Sequence, residues 1–597
     1  MRIKVANYIA DYLVSNGITD CFTITGGGAM HLNDAFGHKD GLHCMYNHHE
    51  QACAMAAEAY TRYCGKLALV CVTSGPGGTN AITGVIGGWL DSIPMLIISG
   101  QVKRETTIWS TDVPLRQLGD QEYNIIDVAK HMTKYAHMVT EPEEIAYHLE
   151  KAMYIATHGR KGPVWLDIPL DVQGAPIETN TLKHYDPSEF SEDIGGIDQS
   201  TAQEILSRIQ EAHRPVILAG TAIRLADAHP EFISLVEKLR IPVVTAWNAH
   251  DVLWNDSPYF CGKPGTLGTR GGNFVVQNCD LLLVIGSRLN IRMISYNRFG
   301  FAKDAYKIVI DIDASELHKP TVKVDMPIHA NVKDALAQLL MGDFLPNGGE
   351  HPRWLAWCRE IDVKYPATLP AYYKNDSPLN PYAFMTELFR VMAPDDKIIC
   401  GNGSACVITF QAAEIKQGMR MFTNSGCASM GYGFPAAIGV SAATGNERVI
   451  CIDGDGSFQM NIQEMQTVIH YNRNIKVFLL NNNGYHSIRQ TQRNLFKPPL
   501  VGVDRESGVS FPNMEKIAGA YGMEYVRIDS LEGITNRFHL VLDHAGPVMC
   551  EVVVDENQNF EPKLSSKVLP DGRIVSPSID DMFPFLSKEE YQSNQYV

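Results

Sequence analysis

Asp455 sits in Gly454-Asp455-Gly456-Ser457, directly after the apolar run at residues 449–452. Asn482 sits in Asn481-Asn482-Asn483-Gly484, directly after the apolar run at residues 476–480. One carboxylate, one amide oxygen and a turn carbonyl at Gly484 make a hard, oxygen-only shell with positions left over. Mg²⁺ takes such a shell and completes it with water and phosphate oxygens. A second reactive group lies far upstream, in Asn47-His48-His49-Glu50-Gln51, before an Ala-rich stretch at residues 52–62. There Glu50 offers a carboxylate for proton work. Each motif alone has a plainer reading: a tight turn for Gly-Asp-Gly-Ser, a strand-end loop for Asn-Asn, a capping or surface acid for Glu50. His48 and His49 have no third ligand at useful spacing, so zinc is not expected.

These groups need elements to position them. Both apolar runs are short and bounded by glycine or asparagine, which reads as buried strands. Between them Ile462, Met465, Val468 and Ile469 fall on one helical face, and Asn461-x-x-Glu464 reads as a capping box. A β-α-β unit of parallel strands brings both polar ends to one sheet edge, so Asp455 and Asn482 should meet there. The first part of the chain alternates in the same way. Residues 21–24 end in Thr25-Gly26, and residues 67–72 end in Thr73-Ser74-Gly75-Pro76, running on to Asn80. Residues 95–99 and 164–168 read as further strands. In the middle, residues 216–219 lead to Gly220, residues 281–285 to Gly286-Ser287-Arg288, and residues 308–312 carry Asp311. Gly-Ser-Arg at a strand end suits a dinucleotide or diphosphate. Asn402-Gly403-Ser404 suits diphosphate contacts through backbone N–H groups.

The expected fold is α/β, with three doubly wound parallel-sheet domains at 1–175, 190–345 and 375–557 and an irregular C-terminal tail at 558–597. Residues 176–200 and 346–380, the latter with Asp376-Ser377-Pro378, read as linkers. The tail holds Pro562, Pro570-Asp571-Gly572, Pro577 and Pro584 among apolar Met582-Phe583 and Phe585-Leu586. It reads as an arm packed over the domains. Residues 1–14 read as an amphipathic helix rather than a signal peptide. A chain of 597 residues is too long for one core. A formal charge of −16 argues against a nucleic-acid surface, and no apolar run reaches the length of a membrane span. Thirteen scattered Cys without a C-x-x-C pair suit buried thiols in a reducing cytoplasm.

Gly-Asp-Gly-Ser followed by Asn-Asn across one such unit resembles the signature of thiamine diphosphate (ThDP) enzymes. His49-Glu50-Gln51 with A-x-x-A-A-E-A-Y-x-R, then S-G-P-G-G-T-N, then D-S-I-P-M-L-I-I-S-G-Q-V at residues 91–102, is similar to the pyrimidine-binding domain of the acetohydroxyacid (acetolactate) synthase family. The resemblance runs from about residue 3 to 555, and the tail resembles a branch of surface-polysaccharide pathways. It implies ThDP held through Mg²⁺ on Asp455, Asn482 and Gly484, with Glu50 against the aminopyrimidine. Thr25, Gly26, Thr73, Pro76 and Asn80 would surround that ring. Asn402, Gly403, Ser404, Ala428, Gly454, Gly456, Ser457 and Tyr485 would line the rest of the cofactor, with Met430 of residues 425–435 supporting its bent shape. The middle domain would hold FAD through Arg160, Gly220, Gly286, Arg288, Arg292 and Asp311. Ala246-Trp247 and Thr269-Arg270 depart from the family pattern near the expected flavin, so its placement could differ.

The implied reaction takes a two-carbon unit from pyruvate or a similar 2-oxo acid, with loss of CO₂, and adds it to a carbonyl acceptor. Gln121, His31 and His486 are candidates to donate a hydrogen bond to the acceptor oxygen. In this family the cofactor spans two subunits, so a homodimer or homotetramer is implied. Asp120, Leu170, Ser487 and Thr491 replace the family's Phe, Lys, Met and Trp. A smaller, more polar wall suits a larger hydroxylated acceptor such as a keto-sugar nucleotide. Plain acetolactate synthesis, simple decarboxylation and a flavin-linked oxidase are the alternatives. The joint presence of Glu50, Asp455 and Asn482 speaks against a non-catalytic subunit.

Overall fold

Runs of Val, Ile, Leu and Cys form the strands of three sheets whose pairings are all parallel. The computed structural model describes residues 2–374, 377–568 and 572–596, so Asp376 and Pro570-Asp571 lie outside the described residues. The first sheet has the spatial order His43–Tyr46, Asp20–Thr23, Leu69–Val72, Met95–Gln101, Pro163–Pro169, Tyr135–Met138. The third has the order Arg420–Phe422, Lys397–Cys400, Val449–Gly454, Ile475–Asn481, Val548–Val553, Glu524–Ile528. Counted along the chain, both orders are 2-1-3-4-6-5. The central sheet, Val243–Thr245, Pro215–Ala219, Leu281–Ile285, Tyr306–Asp311, Met326–His329, runs 2-1-3-4-5.

In each sheet the order reverses between the first strand and the third. Loops leaving those two strands part to opposite faces, and the crevice between them is where doubly wound sheets bind ligands. Thr25-Gly26 and Thr73 end such a pair in the first sheet. Gly220 and Gly286 do so in the central sheet, and Asn402-Gly403-Ser404 with Gly454–Ser457 in the third. The expected α/β architecture is therefore present, and its strand order puts these glycine-bearing ends at crevices.

Several expectations are corrected. Arg2–Lys4 is a strand, paired antiparallel with Pro176–Glu178, and the first helix runs Val5–Ser15. The second expected linker contains the helix His351–Lys364, whose Trp354, Cys358 and Ile361 are buried in the central core. Flanking Pro and Gly hid that i, i+4, i+7 spacing. The capping box at Asn461 and Glu464 does not form. The helix breaks there into Asp455–Phe458, a 3₁₀ turn Gln459–Asn461 and Glu464–His470. Glu464 instead accepts from Asn47 Nδ2 and the His48 backbone N–H, both at 2.9 Å. Asn461 Nδ2 donates to Gln51 Oε1 at 3.0 Å and to the Gly431 carbonyl at 2.8 Å. Both side chains bond across the first and third units, which a local pattern cannot reveal.

The Ala-rich helix Glu50–Cys64 packs between Pro76–Asp91 and Gly433–Ala443. A Cβ at Gly439 would run into the Ala56 carbonyl, and one at Gly84 into the Ala54 side chain. Small residues thus let three helices close up, and one apolar core runs from Phe22 and Trp165 through Met55 to Phe434 and Leu479. The tail packs on the central unit. Ile579 and Met582 are buried, Asn273 Nδ2 donates to the Ile579 carbonyl at 3.0 Å, and Arg270 Nη2 donates to the Pro584 carbonyl at 2.7 Å. All thirteen Cys are free thiols. Among the described residues no helix is long and apolar enough to cross a membrane.

Candidate functional site

Asp455 and Asn482 meet, as the parallel strands require. Asp455 is 3% exposed. Its Oδ1 accepts from the Gly456 N–H at 2.8 Å, and its Oδ2 from the N–H groups of Asn482 at 3.2 Å and Gly484 at 3.1 Å. Burial pushes this carboxyl up to about 7, against the lowering pull of those N–H groups and of Arg489. Asn482 is 4% exposed, and its Nδ2 donates to Ser404 Oγ at 3.3 Å. Its Oδ1 is buried with no hydrogen-bond partner among the described residues. The Gly484 carbonyl accepts from the His486 N–H at 3.1 Å, which closes the turn after the second strand. A carbonyl oxygen has two lone pairs, so one acceptor position beyond that bond remains.

A buried carboxylate beside an unpartnered amide oxygen is a setting that a cation completes, and Mg²⁺ fits its oxygen donors. Among the described residues no group of three or more His, Cys, Asp or Glu is placed to hold a metal. The paired histidines are engaged elsewhere: His48 Nδ1 lies 3.0 Å from Thr467 Oγ1, and His49 Nδ1 caps a helix by accepting from the Gln51 N–H at 3.0 Å.

Neighbouring loops meet this group, Ser404 Oγ lying 3.3 Å from Asn482 Nδ2. Gly403, at φ +64°, leads into the helix Ser404–Ala412, and the space where its Cβ would stand is open. A helix N-terminus with free N–H groups at a crevice suits a diphosphate. Asn402 Nδ2 donates to the Ala428 carbonyl, and the Gly431 N–H donates to Ser457 Oγ at 2.9 Å. Gly456 lies flat against the Tyr485 ring, where a Cβ would not fit. Ala428, at φ +53°, takes a left-handed conformation in the loop that carries the half-buried Met430.

At the matching edge of the first sheet, Glu50 opens the helix Glu50–Cys64 and its Oε2 accepts from Asn80 Nδ2 at 3.0 Å. The Gly28 N–H donates to Thr73 Oγ1 at 3.1 Å, and a Cβ at Gly26 would strike Thr73. The Gln121 carbonyl lies against Gly75, just before Pro76, and His31 Nε2 lies against Gly174. Thr25, Asn80 and Gln121 are exposed and Glu50 is half-buried. Among the described residues no hydrogen bond joins Glu50 to the Asp455 group; it is the neighbouring Gln51 that reaches across, to Asn461. His486 is buried with its ring edge-on to Phe560, centroids 5.4 Å apart, and neither ring nitrogen has a hydrogen-bond partner among the described residues. Burial and Arg489 push it down to about 4, so it is a neutral imidazole.

A cleft opens where the central sheet faces the first unit. Arg160, Gly286, Arg288 and Asp311 line it. Gly220 backs onto the Gly286 carbonyl, where no Cβ would fit. Arg288 suits a phosphate and Asp311 a ribose hydroxyl, so these residues fit a nucleotide-type group. Arg160 is engaged by Asp313 at 2.6 Å and Glu316 at 3.2 Å. Arg292 is exposed and lies outside that lining. Of the two departures, Ala246-Trp247 lines this cleft, with Trp247 stacked on Phe410 at 4.8 Å, and Arg270 holds the tail.

Sequence reasoning missed Arg489. It is 1% exposed and donates to the carbonyls of Asn482 at 3.1 Å and Asn483 at 2.8 Å and to Glu556 Oε2 at 3.1 Å. It clamps the Asn482 turn to Glu556, just ahead of the tail. Its only sequence signal is a lone cation in the first turn of a polar helix.

Residues 3–124 match the N-terminal TPP binding domain of thiamine pyrophosphate enzymes, residues 202–339 their central domain and residues 401–552 their C-terminal TPP binding domain. The chain is 31% identical over 566 residues to the acetolactate synthase large subunit of Lactococcus lactis, covering 94% of each chain. It is 31% identical over 596 residues to a probable acetolactate synthase large subunit of Methanocaldococcus jannaschii, covering 96% of this chain and 95% of that one. Against the acetolactate synthase isozyme 1 large subunit of Escherichia coli it is 29% identical, covering 94% and 96%.

Proposed function

This chain belongs to the thiamine diphosphate enzymes of the acetolactate synthase family, and on that premise we propose that it joins a pyruvate-derived two-carbon unit to a large hydroxylated carbonyl acceptor, a keto-sugar nucleotide. Thiamine diphosphate, when bound, supplies the carbon nucleophile that releases CO₂ from the 2-oxo acid. The protein residues do the positioning. Asp455, Asn482 and the Gly484 carbonyl would hold Mg²⁺, and Gly403 with the Ser404 N–H at the start of the Ser404–Ala412 helix would meet the diphosphate, the Gly403 N–H itself donating to Asn402 Oδ1. Met430 would support the cofactor. Glu50, steadied by Asn80, would hold the proton at the aminopyrimidine nitrogen. Gln121 and His31 offer donors to the acceptor oxygen, and His486 offers only a neutral N–H. The central cleft would take FAD through Arg288 and Asp311. The working units are taken as 1–175, 190–345 and 375–557, with the tail at 558–597.

The observation that carries the cofactor reading is the buried Asp455 carboxylate beside the unpartnered Asn482 Oδ1. The acceptor reading is supported by Asp120 and Thr491, which are exposed, and Ser487, which is half-buried, leaving an open polar rim. Exposed Trp109, Leu118 and Tyr123 in the first unit and Leu495, Phe496 and Val501 in the third are apolar surface that a second copy would cover. A homodimer or homotetramer follows, with Glu50 of one copy facing Asp455 of another. The test supplies pyruvate, ThDP, Mg²⁺ and FAD, with and without a keto-sugar nucleotide, and identifies products by mass spectrometry. A two-carbon adduct of the sugar is expected. Rapid acetolactate formation from pyruvate alone, unchanged by the sugar, would select the second reading, an acetolactate synthase like its relatives.

A further inference from the structure

Asp91 is the last residue of the helix Pro76–Asp91, where the helix dipole disfavours a carboxylate. Its side chain is nevertheless only 6% exposed. Arg62 Nη2 donates to its Oδ2 at 2.7 Å. Arg62 is also paired with the fully buried Glu58, through Nε at 2.9 Å, and Glu58 accepts from the Tyr432 hydroxyl at 2.6 Å. Two acids, one guanidinium and one phenol are thus buried together where the first unit meets the third. Such a group is a weak source of stability, because desolvation offsets most of its attraction. What Asp91 does with its remaining lone pairs is more informative.

Asp91 Oδ1 accepts from the Gly426 N–H at 2.9 Å, and Oδ2 accepts from the Ser425 N–H at 3.2 Å. These residues begin the loop that runs to Met430. The rest of the loop is held from within the third unit. Asn424 Oδ1 accepts from the Cys427 N–H, Asn402 donates to the Ala428 carbonyl, and Ser457 and Asn461 take the two sides of Gly431. Among the described residues Asp91 is the one side chain outside the third unit that hydrogen-bonds to the backbone of residues 425–431. A Cβ at Gly426 would collide with its Oδ1, so the loop lies directly on the carboxylate.

We propose that Asp91 is a positioning residue that sets where Met430 stands against the bound cofactor, so that docking of the first unit on the third fixes the cofactor's shape. This rests on reading the Asp455 wall as the ThDP site. Neither N–H of the grip has another acceptor in the loop, and an amide at position 91 offers one oxygen where the carboxylate offers two. Asp91→Asn should lower kcat with pyruvate by about tenfold, the scale of losing a charge-assisted hydrogen bond. KM for pyruvate should move less than about twofold, since Asp91 is placed to act through Met430 rather than on the substrate. The near-ultraviolet circular dichroism of bound ThDP should change. Gly426→Ala, which pushes the loop off the same carboxylate from the other side, should reproduce these changes even if Asp91→Asn fails to fold. Tyr432→Phe disturbs the same buried group without touching the grip, and should leave both readouts near wild type. Wild-type kcat and dichroism in Asp91→Asn or Gly426→Ala would overturn the proposal, as would an equal loss in Tyr432→Phe. Calorimetry on the wild type separates the two levels of inference: absence of any ThDP binding would reject the reading of the site itself.

Discussion

At the scale of single residues, Glu50 and Asp455 carry the sharpest expectations. Glu50 has one close partner, Asn80, and its carboxylate is what proton transfer at the cofactor would use. Glu50→Gln keeps the shape and removes the charge. It should retain ThDP binding and lose activity by about 10²- to 10⁴-fold, the usual worth of a positioned acid or base; steady-state rates near wild type would reject the role. Asp455 is different, because its work is to hold a cation. Asp455→Ala should weaken ThDP on the order of tenfold or more in titration calorimetry and remove the effect of Mg²⁺ on that affinity. Unchanged, Mg²⁺-dependent binding would show that the cation sits elsewhere. Asp167 titrates for structural reasons. It is fully buried in the first sheet, accepting from Ser99 Oγ at 2.6 Å and Gln101 Nε2 at 3.0 Å, and burial pushes it up to about 7. A raised carboxyl favours the folded state while protonated, so its contribution is complete below about pH 4 and lost as pH rises through about 7. The loss is at most about 4 kcal/mol. Asp167→Asn should flatten the dependence of Tm on pH between these limits, and an unchanged profile would mean that the carboxyl ionises freely in the sheet.

At the scale of elements, the strands decide where the chemistry stands and the helices decide how the units close. The identical 2-1-3-4-6-5 orders of the first and third sheets place two crevices, one edged by Thr25-Gly26 and Thr73 with Glu50 on the neighbouring strand end, the other by Asn402–Ser404 and Asp455 with Asn482 on the neighbouring strand end. Glycine is required where the Gly433–Ala443 helix crosses the Glu50–Cys64 helix, because Gly439 lies on the Ala56 carbonyl. Gly439→Ala adds one methyl group to a core with no room for it. Overpacking of this kind costs about 1–3 kcal/mol, which should appear as a lower Tm. It should also disturb activity, since the helix it presses on begins with Glu50. A variant with wild-type Tm would show that the two helices part without cost.

At the scale of the whole molecule, one chain brings Gln51 to Asn461 but leaves Glu50 half-buried with Asn80, while apolar side chains near both crevices stay exposed. A second copy would answer both features. The two inactive variants then become complementary. In a mixed dimer of Glu50→Gln and Asp455→Ala subunits, one site carries both defects and the other carries none. Subunits mixed and allowed to exchange should recover about a quarter of the wild-type activity. Recovery of none, with exchange shown by native mass spectrometry, would place each site within a single chain.

The sequence by itself determined the fold class, because apolar runs of strand length alternate with amphipathic stretches and end in glycine. It also determined that Asp455 and Asn482 would meet, since parallel strands joined through a helix must end at the same edge. What it could not supply were contacts between residues hundreds of positions apart. Asn461 and Glu464 match a capping box locally, yet each reaches across to the first unit instead. The helix His351–Lys364 was masked by its Pro and Gly neighbours until the central core claimed Trp354. Arg489 and Asp91 look like ordinary surface charges in the chain. Only tertiary structure buries them, and burial decides their roles, because a charge removed from water must find partners, and the partners here are the backbones of the Asn482 turn and the Met430 loop.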